Sequence, residues 1–366
     1  MLTIINKDAL RAKVEAESGG QRTVLYTRSG QPSYMFVIPA FSMEAVATGL
    51  GTQRHPAFTV KEKAIAEFFY GCYPGSMHNG ELLSLPHQRP ASQGSLAAFQ
   101  QSVKKNGRGW HLSTNAEWCA LMFLCRYSGY AEVGNTDYGC SHAVPAQKGV
   151  RISGNTGENS GNPVTLTASG PVEWHHDGTS SGISDLCGNL WEWQTGARLH
   201  NGEIQIIKDN DAATDLAHAE WWAIDMESGA LLPPGSPATA KYDSPTALCL
   251  GNAGTPVLSQ DIINFNGEWG DNRNTSGLLD GPFNDIVSAQ GKSVATLLQI
   301  LGFFPWHREP DGDQAYLRNY GQRALLRGGA WYSGNVAGMR TLCLSHGSNH
   351  ASETVGARPV WYSPVG

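Results

Sequence analysis

Apolar and polar positions follow two rhythms along this chain. From Ser95 to Gly107 the apolar residues recur at helical spacing, behind a serine suited to an N-cap and ahead of two lysines and a glycine. From Asn115 to Arg126 an apolar run follows Thr114 and Glu117, which stand at the spacing of a capping box. Its apolar residues fall on more than one face, so this helix is expected to be buried on several sides. Shorter helices are expected at Asp8–Glu17 and around Ser293–Leu301.

The second rhythm has a period of two. "TVLYT" and "SYMFVIPAF" read as strands split by the turn "RSGQPS", and "KAIAEFFYGCYP" as a strand running into a Pro-Gly turn. In "GNLWEWQTG" the alternation puts Trp191 and Trp193 on one face and Glu192 on the other, and "EIQII" adds a further strand. In "TLCLS" it sends Leu342 and Leu344 to the core and Thr341, Cys343 and Ser345 to a solvent-facing surface. Residues 131–185 are Gly-, Asn- and Ser-rich turns. The texture suggests a loop-rich α+β fold with a separate appendage over 1–50, a main domain over 51–366, and an insertion at about 208–320.

Composition narrows the function classes. Of 366 residues, 40% are hydrophobic and 16% charged, enough for a sizeable core and too few charges for long disordered tails. The net charge of -6 leaves no footprint for nucleic acid, and the densest basic group, Lys104, Lys105 and Arg108, reads as a solvated helix end. The seven cysteines are scattered without a CxxC pair, which points to buried free thiols. The N-terminus is too polar and acidic for a signal peptide, and no apolar run is long enough to span a membrane.

Three polar groupings invite a site. His175-His176-Asp177 lie adjacent on an extended segment, so they point apart and form a poor joint site. His346 and His350 have the spacing of one helical turn in a segment without helical character. Asn189 and Glu192 offer two oxygens where calcium needs six or more.

The motifs "GWHLSTNAEW", "DLCGNLWEW" and "LLRGGAW…GAR", in this order, resemble the formylglycine-generating-enzyme group of C-type-lectin-like folds. The resemblance covers roughly His55 to Val360. Within that group the chain is more similar to the variable proteins of diversity-generating retroelements, to whose C-terminal segments Arg327–Arg358 aligns without a gap. This resemblance implies a C-type-lectin-like fold of the formylglycine-generating type. It also implies a variable region at about 327–358, diversified at Tyr332, Ser333, Val336, Cys343, Ser345, His346, His350, Ser352, Glu353 and Thr354, together with Asn335 and Thr341. An Asn codon randomised at its adenines yields every one of these residues except Glu353. The fixed frame would be Arg327, Gly328, Gly329, Trp331, Gly356 and Arg358, with Trp191 and Trp193 beneath it. Trp331 is expected to anchor the segment in the core, and Arg327 and Arg358 to meet carboxylates or carbonyls.

By the same resemblance the protein binds a protein or glycan on a cell surface, as a phage receptor-binding or bacterial display protein. Residues 1–50 would attach it or join it into a homo-oligomer. The missing signal sequence favours a phage virion, or an intracellular stage before display. The alternative is an oxidase like the formylglycine-generating enzyme, whose copper site takes a cysteine pair near the C-terminus. Here "GARPVWY" has no cysteine, and Cys343 is the only one after Cys249, so no cofactor and no catalysis are expected. Neither Glu-Pro-Asn nor Gln-Pro-Asp, the tripeptides of sugar-binding C-type lectins, occurs.

Overall fold

The computed structural model describes residues 7–130, 133–246, 251–265, 278–308 and 312–364. It is a mixed α+β structure, mostly sheet, with few helices. A five-stranded antiparallel sheet runs in the order Arg22–Tyr26, Pro32–Pro39, Glu67–Gly71, Pro359–Trp361 and Trp110–Leu112. A larger sheet carries, in succession, Leu279–Pro282, Gln314–Leu317, Leu342–His346, Gln322–Arg327, Trp191–His200 and Glu203–Ile207.

One strand pairing crosses the expected boundary near residue 50. The Pro32–Pro39 strand pairs with Glu67–Gly71 from Met35↔Gly71 to Pro39↔Glu67, and Met35, Ile38 and Met43 are buried in the shared core. The strand pairs with Arg22–Tyr26 on one edge and Glu67–Gly71 on the other. The expected insertion is likewise built into the larger sheet, through Trp221–Ile224, Lys241–Asp243, Val257–Ser259 and Gln314–Leu317.

The helix Asn115–Ser128 carries both arms of the capping box: Glu117 N donates to Thr114 Oγ1 (3.1 Å) and Thr114 N to Glu117 Oε2 (3.0 Å). It runs two residues past Arg126 because the first left-handed position is Gly129 (φ 68°). Ten of its residues are buried, Trp118 completely. The helix Leu96–Lys105 begins behind Ser95, whose hydroxyl accepts from Ala98 N. Helix Lys7–Glu17 and the short Thr296–Ile300 complete the expected set. Among the described residues no helix is long and apolar enough to cross a membrane.

Candidate functional site

The C-terminal segment hangs on two buried arginines. Arg358 faces Glu192, with Nη2–Oε1 at 2.5 Å and Nε–Oε2 at 3.0 Å, and its remaining donors reach the carbonyls of Gly71, Ser184 and Asp185. The tryptophan alternation makes this pair: Trp191 and Trp193 pack on one side of their strand, and Glu192 turns to the other. Among the described residues Arg327 meets no carboxylate. It donates to Asn115 Oδ1 (2.9 Å) and to the carbonyls of Leu301, Gly302 and Arg340. Glycine is required at Gly328, where φ is +92° and a Cβ would lie 2.9 Å from the Leu186 carbonyl. At Gly356 a Cβ would meet the Ala91 carbonyl at 2.8 Å. Gly329 (φ +84°) completes the turn.

Trp331 departs from expectation. It is half-buried, belongs to no core cluster, and its ring rests between Tyr138 and Tyr332, each 5.0 Å away. Among the described residues its indole N–H has no acceptor. The side chain that enters the core at this turn is Ala330, fully buried. The backbone explains it: Trp331 N and O are held by Asn189 O and Tyr138 N, which turns its side chain along the surface.

Between these anchors lies Leu342–His346, flanked by Gln314–Leu317 in parallel and Gln322–Arg327 antiparallel. Leu342 and Leu344 enter the core as the alternation predicts. Their neighbours differ from expectation: Cys343 and Ser345 face the other way but are only 4% and 7% exposed. They form the floor of a cavity of about 270 Å³, since flanking strands and loops rise around them. Thr341 sits deeper still and is a clip, its hydroxyl donating to Val336 O (2.6 Å) and accepting from Gln314 N.

Tyr332, Ser333 and Val336 form one lip of the cavity, with Tyr332 47% exposed. His346, His350 and Thr354 form another. The two imidazoles stack, 4.0 Å between centroids and 11° from parallel. Asn335 and Glu353 are exposed and Ser352 half-buried; none of the three lines the cavity. Ser352 shares a hydroxyl contact of 2.9 Å with Thr354.

The remaining walls come from residues not expected to take part: Leu278, Tyr316, Arg318, Leu326 and Val355, with Trp191 doubling as scaffold. Tyr316 stands in register with Cys343, and Trp191 meets its ring edge-on at 5.9 Å. Burial raises the Tyr316 phenol above its usual range. The available signal was the alternation in "QAYLRN", which puts Tyr316 and Arg318 on one face. Among the described residues the cavity lining holds a guanidinium, two imidazoles and no carboxylate.

The other groupings are structural. His176 is half-buried, its Nδ1 accepting from Ile183 N (2.8 Å), and desolvation lowers it to about 4, so it stays neutral. His175 bonds Val172 O, and Asp177 caps Thr179. Asn189 spends its amide on Asn135 and Thr165, and Glu192 on Arg358. Cys72, Cys119, Cys125, Cys140, Cys187 and Cys343 are buried and not disulfide-bonded among the described residues; Cys249 lies outside the described residues. Among the described residues no three His, Cys, Asp or Glu side chains group as a metal site.

No family model and no curated protein matches the chain. Among solved structures it is similar to the Major Tropism Determinant U1 variant, at 14% identity over 90% of this chain with a TM-score of 0.32. It spans 62% of that protein's length. It is also similar to Treponema denticola variable protein 1, at 13% identity over 93% of this chain and 98% of that one, TM-score 0.33.

Proposed function

We propose that this chain is a ligand-binding variable protein of a diversity-generating retroelement. Its fold is C-type-lectin-like, of the formylglycine-generating type, and it has no catalytic role. It carries a diversified surface that recognises a protein or glycan on a cell surface, as a phage receptor-binding or display protein does. Residues 1–50 serve attachment or oligomerisation, for which the Lys7–Glu17 helix offers a largely exposed face.

One observation carries this reading. Eight of the twelve candidate variable residues, all but Asn335, Thr341, Ser352 and Glu353, converge on a single cavity. Glu353, whose codon does not fit adenine randomisation, lies outside it. Arg327, Gly328, Gly356 and Arg358 are buried under the same surface. A preformed surface on paired strands loses little entropy on binding, which suits a site whose side chains change while its backbone does not.

The test is deep sequencing of the gene's 3′ end across a natural population. Substitutions concentrated at the cavity positions, with the Arg-Gly-Gly-Ala-Trp and Gly-Ala-Arg frames intact, are expected. A segment as uniform as the rest of the gene overturns the display reading.

A further inference from the structure

A smaller pocket of about 90 Å³ lies against the larger sheet, and none of the twelve candidate variable residues lines it. Its base follows from strand register. Arg198 stands opposite Gln205 on one side and Ala324 on the other, and Trp221 stands opposite Ile207. Directly opposed residues share a face, as do residues two apart on one strand. Arg198, Gln205, Ile207, Trp221 and Ala324 therefore project from the same side of the sheet. Leu96, Leu216 and Ala219 close the pocket from outside the sheet, and the exposed Gln322 and Ser348 give it a polar rim.

The half-buried Arg198 is held in place there with donors to spare. Its guanidinium carbon lies 3.9 Å from the centre of the Trp221 ring, and its Nε donates to Gln205 Oε1 (2.8 Å). Gln205 is fixed in turn by Glu203 (2.8 Å), whose carboxylate accepts from Thr239 Oγ1 (2.6 Å) and Gly235 N (3.0 Å). These contacts set the position and plane of the guanidinium while using one of its five N–H donors. Among the described residues Nη1 and Nη2 have no hydrogen-bond partner. Burial lowers the pKa of the group, as expected of a cation partly withdrawn from water, and a bound anion offsets that. The paired Nη edge matches a planar carboxylate. Ile207, Leu216, Ala219 and Ala324 beside it suit a hydrocarbon. A cavity of about 150 Å³ accepts benzene, so this one limits the hydrocarbon to about four or five carbons.

We infer that this pocket binds a short aliphatic carboxylate, Arg198 holding the carboxylate and the apolar walls its chain. The same chemistry occurs in a free acid and in the apolar C-terminal residue of a peptide. The site lies apart from the diversified surface and does not depend on the display reading.

Isovalerate, isovaleramide, N-acetyl-leucine and inorganic phosphate are titrated separately into the full chain by ligand-observed NMR and calorimetry. Isovalerate is expected to bind about tenfold more tightly than isovaleramide, because a charge-assisted hydrogen bond exceeds a neutral one. N-acetyl-leucine binding more tightly than isovalerate assigns a peptide end, and the reverse assigns a free acid; either result supports the site. Arg198→Met should weaken isovalerate by about tenfold or more, whereas Tyr332→Ala, at the larger cavity, leaves it within about twofold, as a distant independent site does. Arg198→Met also strands Gln205 Oε1. If that variant misfolds, Ala219→Leu decides: it fills the pocket while leaving Arg198 and its supports intact, and should abolish binding. Equal binding of isovaleramide overturns the carboxylate, and equal binding of phosphate overturns the aliphatic chain. A loss in Tyr332→Ala as large as in Arg198→Met places the binding in the larger cavity and overturns the assignment. Unchanged binding in Arg198→Met or Ala219→Leu, or no binding of any probe, overturns the whole.

Discussion

Replacing Glu192 by glutamine tests how the C-terminal frame is held. The substitution preserves size and one acceptor oxygen but removes the charge facing Arg358. Both side chains are shut away from water, and the pair is joined by contacts of 2.5, 3.0 and 3.2 Å. Arg358 cannot shed its proton, so the variant leaves a buried guanidinium with only an amide and three carbonyls around it. Breaking a buried pair from one side costs about 3–5 kcal/mol. A folded domain has roughly 5–15 kcal/mol in all. Urea unfolding followed by tryptophan emission should therefore show a midpoint lowered by about a fifth or more, at an unchanged slope. The double variant Glu192→Leu/Arg358→Met removes both charges and should fall well short of the sum of its singles. It should not recover fully, because the Gly71, Ser184 and Asp185 carbonyls lose their donor. A cost below about 1 kcal/mol for Glu192→Gln, the level of a surface pair, would refute the argument. So would strict additivity in the double variant.

Three further outcomes are expected. Tyr332→Ala, Val336→Ala and His346→Ala should each change stability by less than about 0.5 kcal/mol, as cavity-rim side chains rather than core, read by the same urea titration. Trp331→Ala should cost about 1–2 kcal/mol, below the 3–5 of a core tryptophan, because its ring is half-buried against Tyr138 and Tyr332. Burial raises the Asp185 carboxyl to about 6, with one oxygen bonded to Ala168 N and the other without a donor. Its folded value lies above the unfolded one, so its stabilising contribution is full below about pH 4 and is lost as pH rises through 6. Asp185→Asn should abolish that difference, and an identical pH profile of unfolding in variant and parent would refute it.

Local rules written in neighbouring residues were legible in the sequence. The capping box at Thr114 and Glu117, the serine cap at Ser95, and the alternation that separates Trp191 and Trp193 from Glu192 each act within a few residues, and the chain adopts all of them. What failed depends on distant partners. The hairpin of Arg22–Tyr26 and Pro32–Pro39 is local, but its further edge neighbour, Glu67–Gly71, lies about thirty residues on and itself pairs with the C-terminal strand Pro359–Trp361. Alternation correctly turned Cys343 and Ser345 away from the leucines. It could not say that Gln314–Leu317, some thirty residues upstream, would pair alongside and turn an open face into the floor of a cavity. Trp331 misled for the same reason: a large ring between glycines suggests a core anchor, but the backbone bonds to Asn189 and Tyr138 direct it outward. The cavity therefore belongs to neither wall alone. One wall is set by a segment of small polar residues that specify no core of their own, and the other by strands far away in sequence whose packing holds Tyr316 and Trp191 in place.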